Sequence, residues 1–221
     1  MTKEELAASI DLTLLRPDAA KKDIERLIIR ALPFPFAAVC IAPCHAAFAA
    51  ALLRNSPIKV CTVTGFPLGY SEPAVKLLEA VRAFESGAKE IDVVMNLSYF
   101  KSAEFKPAED EISSIVKALP DATIKVIIET CYLTLEEKKR ACGLVIDSGA
   151  HFVKTSTGFG TGGAKIEDIR LLSELSAGMI KIKAAGGIKT LKATLLMLEA
   201  GAHRIGTSSG IEIMEEFSSG I

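Results

Sequence analysis

Short apolar runs rich in β-branched residues alternate with longer amphipathic stretches along the whole chain. The runs predict strands over 8–13, 37–42, 59–65, 90–96, 124–130, 151–156, 179–184 and 203–207. The stretches between them predict helices over 18–32, 44–55, 72–86, 103–119, 134–148, 165–176, 190–199 and 209–217. Thr134-Leu135-Glu136-Glu137 carries a capping box, in which a threonine and a glutamate satisfy each other's backbone N–H groups. Ser86-Gly87-Ala88, Ser148-Gly149-Ala150 and Ala200-Gly201-Ala202 each read as a helix end closed by glycine. Runs such as Val126-Ile127-Ile128 and Ile91-Asp92-Val93-Val94-Met95 are nearly continuous in apolar residues, as strands covered on both faces require. Eight such βα units predict an α/β fold, a closed (β/α)8 TIM barrel, with a doubly wound open sheet as the competing arrangement. No linker or low-complexity stretch interrupts the pattern, so one domain over 1–221 is expected.

Composition narrows the function classes. The chain is 49% hydrophobic with a formal net charge of −1, so no global attraction to nucleic acid or to a membrane is expected. Met1-Thr2-Lys3-Glu4-Glu5 leads into no long apolar stretch, which disfavours a signal peptide. The apolar segment from Cys40 to Leu53 is broken by Pro43 and His45 and is too short to span a bilayer. A soluble cytoplasmic protein is the expectation. Five cysteines, an odd number, argue against a disulfide framework. Cys40 and Cys44 read as core or rim residues. His45, His151 and His203 are scattered without metal-ligand spacing, so no metal site is expected.

The chemistry concentrates at strand ends, where barrels of this class place their active sites. Lys154 lies late in one apolar run and Lys183 late in the next, each just before a glycine loop. Strand alternation puts Phe152, Lys154 and Ser156 on one face and Lys181 and Lys183 on one face of the neighbouring strand. Free lysine has a pKa of about 10.4 and is almost wholly protonated at neutral pH. A second ammonium nearby lowers that value and frees the amine to attack a carbonyl, forming a Schiff base. Lys154 would be the nucleophile and Lys183 the perturbing cation. Asp92, a charge inside another apolar run, would shuttle protons, and Asp11 would order the relay. The competing reading makes these lysines structural, with Lys154 paired to Asp92 and performing no chemistry.

Three small-residue loops complete the pattern. Thr157-Gly158-Phe159-Gly160-Thr161-Gly162-Gly163 contains GxGxxG, but the acidic residue of a dinucleotide site is missing about 20 positions on, where Lys181-Ile182-Lys183 stands. Gly186-Gly187-Ile188-Lys189 and Gly206-Thr207-Ser208-Ser209-Gly210 follow the seventh and eighth strands, the usual phosphate cradle of such barrels. Thr157, Gly158, Gly186, Gly187, Gly206, Ser208 and Ser209 are therefore the candidate phosphate-binding residues. Tight βα turns with no ligand are the alternative.

The chain resembles the deoxyribose-phosphate aldolase family over nearly its full length. The resemblance rests on Ile10-Asp11-Leu12-Thr13-Leu14-Leu15, Val63-Thr64-Gly65-Phe66-Pro67-Leu68-Gly69, Glu90-Ile91-Asp92-Val93-Val94, Phe152-Val153-Lys154-Thr155-Ser156-Thr157-Gly158, Lys183-Ala184-Ala185-Gly186-Gly187 and Arg204-Ile205-Gly206-Thr207-Ser208-Ser209. It implies reversible cleavage of 2-deoxy-D-ribose 5-phosphate to acetaldehyde and D-glyceraldehyde 3-phosphate. It further implies Lys154 as the Schiff-base lysine, Lys183 as its tuning neighbour, Asp92 as proton donor and acceptor, and Asp11 in the relay. No metal or organic cofactor is implied, and a cytoplasmic homo-oligomer, dimer or tetramer, is. Leu12 stands where many relatives carry histidine, and Lys189 where many carry arginine. Some relatives use a C-terminal tyrosine; with Ser218-Ser219-Gly220-Ile221 here, that aid is expected to be absent or replaced.

Overall fold

The structure, a computed structural model, describes residues 1–219. Its strands are β1 (Ile10–Leu14), β2 (Ala38–Ile41), β3 (Lys59–Thr64), β4 (Glu90–Val94), β5 (Thr123–Ile127), β6 (Phe152–Lys154), β7 (Lys181–Ala185) and β8 (Arg204–Thr207). They pair in parallel and in chain order, and β1 pairs with both β2 and β8, which closes the barrel and excludes the open sheet. The crossovers carry α2 (Lys21–Ala31), α3 (Ala46–Leu52), α4 (Pro73–Glu85), α6 (Phe105–Ala118), α7 (Leu135–Asp147), α8 (Ile166–Ser176) and α9 (Leu191–Glu199), with a short α5 (Leu97–Lys101) ahead of α6. The chain closes on α10 (Gly210–Ser219), and Gly220 and Ile221 of the C-terminal tetrapeptide lie outside the described residues.

Alternation sorts each strand into two faces. Ile10, Leu12, Val39, Ile41, Ile91, Val93, Ile124, Val126, Val153, Ile182 and Ile205 join one large core with the surrounding helices. Ala38, Cys40, Cys61 and Val63 form a small separate cluster, packed by Leu15 and Phe66. Much of the remaining interior is charged: Asp11, Glu90, Asp92, Lys125, Lys154 and Lys183 are all buried.

Two features depart from the pattern expected. A helix, α1 (Lys3–Ala8), precedes β1 where 8–13 was expected to be strand. Thr2 and Glu5 form its capping box, and Leu6 and Ala7 are fully buried. Several strands also end early. Asn96 lies beyond β4 because its side chain accepts from Ser98 N and Tyr99 N and starts α5. The chain leaves β5 after Ile127, and Glu129 takes a left-handed conformation, φ 49°. His151 and His203 accept through Nδ1 from Ile124 N (3.1 Å) and Ile182 N (3.2 Å), so both serve strand starts.

Candidate active site

Register brings the two sequence-predicted lysines together. Lys154 is the last residue of β6 and stands level with Lys183 on β7. Their amines meet on one atom: Lys154 Nζ and Lys183 Nζ each lie 2.7 Å from Asp92 Oδ2. Lys183 also donates to Asp11 Oδ2 at 2.5 Å. All four proposed catalytic residues thus occupy one connected group.

The group is larger than the sequence reading made it. Lys125 on β5 stands level with Asp92 and donates to Asp92 Oδ1 at 2.9 Å, while lying 2.7 Å from Glu90 and 3.4 Å from Asp11. Arg204 on β8 reaches Asp11 Oδ1 (2.6 Å) and Glu90 Oε2 (3.1 Å). Four cations therefore face three carboxylates inside the barrel. Lys125, Glu90 and Arg204 carried the same signal as Lys183, a charge on the alternating inner face of an apolar run. Glu90 and Arg204 open their strands and Lys125 stands mid-strand beside Asp92, all ahead of the strand ends on which the sequence reading concentrated.

Electrostatics fixes the charge of most members. Burial by itself raises the Asp11 and Asp92 carboxyls, but the surrounding cations override it and hold both below the usual carboxylate range. For Asp92 those cations are Lys125, Lys154 and Lys183. Burial likewise favours neutral Lys183, yet Asp11 and Asp92 outweigh it and raise its pKa. Lys183 is therefore a standing cation beside Lys154. Burial pushes the Cys61 thiol up; it donates to Asp92 Oδ1 at 3.3 Å and accepts from Lys125 at 3.2 Å. The donor atoms of Cys40, Cys61 and Asp92 lie within 4.8 Å of one another, but the Lys125 ammonium already occupies that corner.

Above the network opens a cavity of about 350 Å³ at the C-terminal ends of the strands. Of the three interior lysines, Lys154 alone lines it; Lys125 and Lys183 are wholly buried beneath. Thr157, Gly158, Gly186, Gly187, Gly206 and Ser208 line the same cavity, joined by Arg16 and Lys189. Arg16 escaped the sequence reading because nothing in its spacing distinguishes it from a solvated loop charge; its guanidinium rests on Asp18 (2.7 Å) and Asp23 (3.1 Å). Ser209 does not line the cavity; its backbone N–H donates to Thr207 Oγ1 at 3.0 Å. Hollows of about 420 and 440 Å³, beside Phe66–Glu79 and between Phe105 and Asp147, have none of these amines in their walls.

The loops are locked to one another. Thr155 Oγ1 donates to Ala185 O and accepts from Ala185 N, both at 3.1 Å, tying β6 to β7. Gly163 crosses so close to the next loop that an added Cβ would stand 2.2 Å from Gly186 O. Thr157 N–H donates to both Glu129 oxygens at 3.2 Å, and its hydroxyl donates to Glu129 Oε2 as well.

Known proteins share this arrangement of sequence and fold. A family model described as DeoC/LacD family aldolase matches residues 6–216. The deoxyribose-phosphate aldolase of Thermoanaerobacter sp. (strain X514) is 47% identical over 216 residues, spanning 96% of this chain and 97% of that protein. That of Thermococcus kodakarensis (strain ATCC BAA-918 / JCM 12380 / KOD1) is 49% identical over 219 residues, spanning 97% and 98%. The tetrameric deoxyribose phosphate aldolase structure from Aeropyrum pernix superposes with a TM-score of 0.92 at 34% identity, covering 100% of this chain and 94% of that one.

Proposed function

Because the chain belongs to the DeoC/LacD family of aldolases, we propose that it cleaves 2-deoxy-D-ribose 5-phosphate reversibly to acetaldehyde and D-glyceraldehyde 3-phosphate through a Schiff base on Lys154. The observation that carries this reading is the Lys154 amine, at the floor of the strand-end cavity and 2.7 Å from a carboxylate that also holds Lys183.

The steps follow from the geometry and the chemistry of the substrate. Neutral Lys154 attacks the C1 aldehyde; the carbinolamine hydroxyl takes up a proton and leaves as water, giving an iminium. The C3 hydroxyl then gives up its proton, the C2–C3 bond breaks, and its electrons flow to the iminium, leaving an enamine and D-glyceraldehyde 3-phosphate. Protonation of the enamine at C2 and hydrolysis release acetaldehyde. Asp92 is the group to carry protons. Its carboxyl is held down partly by the Lys154 ammonium, so it gains proton affinity as that amine loses its charge. Asp11 anchors Lys183 from the other side.

The phosphate belongs on the Gly186-Gly187 and Gly206–Ser208 loops, bordered by Thr157 and Gly158, with Lys189 and Arg16 as flanking cations. Metal and organic cofactors have no assigned part in these steps. The same reading assigns the reaction to deoxyribonucleoside catabolism in the cytoplasm, and a homo-oligomer, dimer or tetramer, as the working form. Its partners are small aldehydes and phosphosugars rather than nucleic acid or membrane. Among the described residues no helix is long and apolar enough to cross a membrane.

The test is reductive trapping. Incubation with acetaldehyde and borohydride, followed by peptide mass spectrometry, is expected to find N-ethyl-lysine at Lys154. An unmodified Lys154, under conditions that trap a control class I aldolase, would leave the three lysines as structural ion pairs and end the Schiff-base reading.

A further inference from the structure

We propose that Glu129 is a positioning residue of this site: it fixes the loop that follows Lys154 and so sets affinity for the phosphorylated substrate. The inference rests on the aldolase reading above and deepens it.

Three observations converge on Glu129. Its backbone is left-handed at φ 49° and ψ 66°, a conformation that a side chain with a Cβ adopts only under constraint. Ala103 and Ala177 also have positive φ, but both are exposed, whereas Glu129 is 3% exposed. Second, the carboxylate is buried with no cation within ion-pair distance among the described residues. A buried carboxyl group is costly unless its oxygens are paired, so its hydrogen bonds must be made well. Third, those bonds go almost wholly to one residue. Both oxygens accept from Thr157 N–H, and one accepts the Thr157 hydroxyl, with only a distant Cys131 thiol (3.9 Å) besides.

Thr157 opens the loop that walls the cavity. The loop then folds back over the carboxylate: a Cβ on Gly160 would lie 3.2 Å from Glu129 Cδ and 2.9 Å from Cys131 Sγ. Its far end is pinned to the next loop, where Ala164 N donates to Ala185 O and Gly186 O at 3.1 Å. The loop is therefore hydrogen-bonded at both ends, with Phe159 set edge-on to Phe66 between them (5.3 Å), and Glu129 holds its start. Because Thr157 spends its donors on Glu129, its contribution to the phosphate site is the placement of Gly158 and Phe159. Lys154 itself is anchored by Asp92 and not by Glu129.

This division predicts a split phenotype. In Glu129→Ala, the KM for 2-deoxy-D-ribose 5-phosphate should rise by about tenfold or more while kcat stays within about threefold. Borohydride trapping of acetaldehyde on Lys154, which needs no phosphate site, should stay within about twofold of the unaltered protein. Amide exchange across residues 157–163 should quicken. Glu129→Gln keeps a carbonyl acceptor for Thr157 and should restore KM to within about threefold. Glu129→Gly should melt at a higher temperature than Glu129→Ala, because glycine adopts the left-handed backbone freely, yet share its high KM. An unchanged KM in Glu129→Ala overturns the proposal. So does loss of trapping in proportion to turnover, or a Gln variant as impaired as Ala. No Lys154 adduct in the unaltered protein overturns the aldolase reading and this inference with it.

Discussion

Lys125, Lys154 and Lys183 share a residue type and one ion-pair network, and position alone separates their work. Lys154 has a single carboxylate partner and opens on the cavity; Lys183 bridges two carboxylates and is wholly buried. Lys154→Leu and Lys183→Leu should therefore both lose at least about a hundredfold in turnover, but for different reasons. Losing Lys154 removes the proposed nucleophile and should have a small effect on folding. Losing Lys183 leaves Asp11 and Asp92 short of a partner and should lower stability by about 3–5 kcal/mol. Urea unfolding beside the aldolase assay checks both, and equal stability of the two variants would contradict this ranking. Lys154 and Lys183 were legible in the sequence as charges late in apolar runs just before glycine loops, and Asp92 and Asp11 as charges within such runs. Lys125, Glu90 and Arg204 were no less visible as charges. Alternation gives the face a residue occupies but not its depth in the barrel, and depth is what joins these three to the site.

At the scale of elements, strands and helices were legible where periodicity was strong, and their ends were not. The ends are set by side-chain bonds that periodicity does not encode, such as Asn96 capping α5 and the left-handed turn at Glu129. The N-terminal helix had a readable signal, Thr2-Lys3-Glu4-Glu5, the same box that marked α7. The glycine loops were legible as phosphate-site candidates, but their mutual contacts were not, because Gly163 and Gly186 meet only in the fold. That contact gives a prediction at this scale. Gly163→Ala would place a methyl group against the Gly186 carbonyl and force the two loops apart. It should cost about 1–3 kcal/mol of stability and raise the KM for the phosphorylated substrate with little change in acetaldehyde trapping. A variant with unaltered KM would show that the loops move independently.

The whole molecule responds to pH through the interior network. Asp11 and Asp92 have folded-state pKa values below the ordinary 3.8, so their stabilisation is complete above that value and is lost as pH falls through the folded values. Lys125 and Lys183 have values above the ordinary 10.5, so theirs is complete below it and lost as pH rises further. Over the span from 3.8 to 9.0 the network contributes a constant stabilisation; above it the raised Cys61 thiol begins to subtract from it. Urea midpoints are expected to fall steeply only outside that span, and a main transition near neutrality would mean that these groups do not govern it. Barrel closure was itself legible from eight alternating units, although only the pairing of β1 with β8 removes the open-sheet alternative.

The mismatch of four interior cations against three carboxylates has a further consequence. With Lys154 protonated, these seven groups hold one unmatched positive charge; with Lys154 neutral, they are electrically even. Among these four cations only Lys154 borders the cavity, so it is the one able to pass its proton outward. The catalytic cycle then becomes an alternation of parity. The free amine and the enamine are the even states, and the ammonium and the iminium are the odd ones. Carbinolamine formation leaves the parity unchanged, dehydration to the iminium takes up one proton, and cleavage to the enamine restores evenness once the C3 hydroxyl proton, received by Asp92, has left the network.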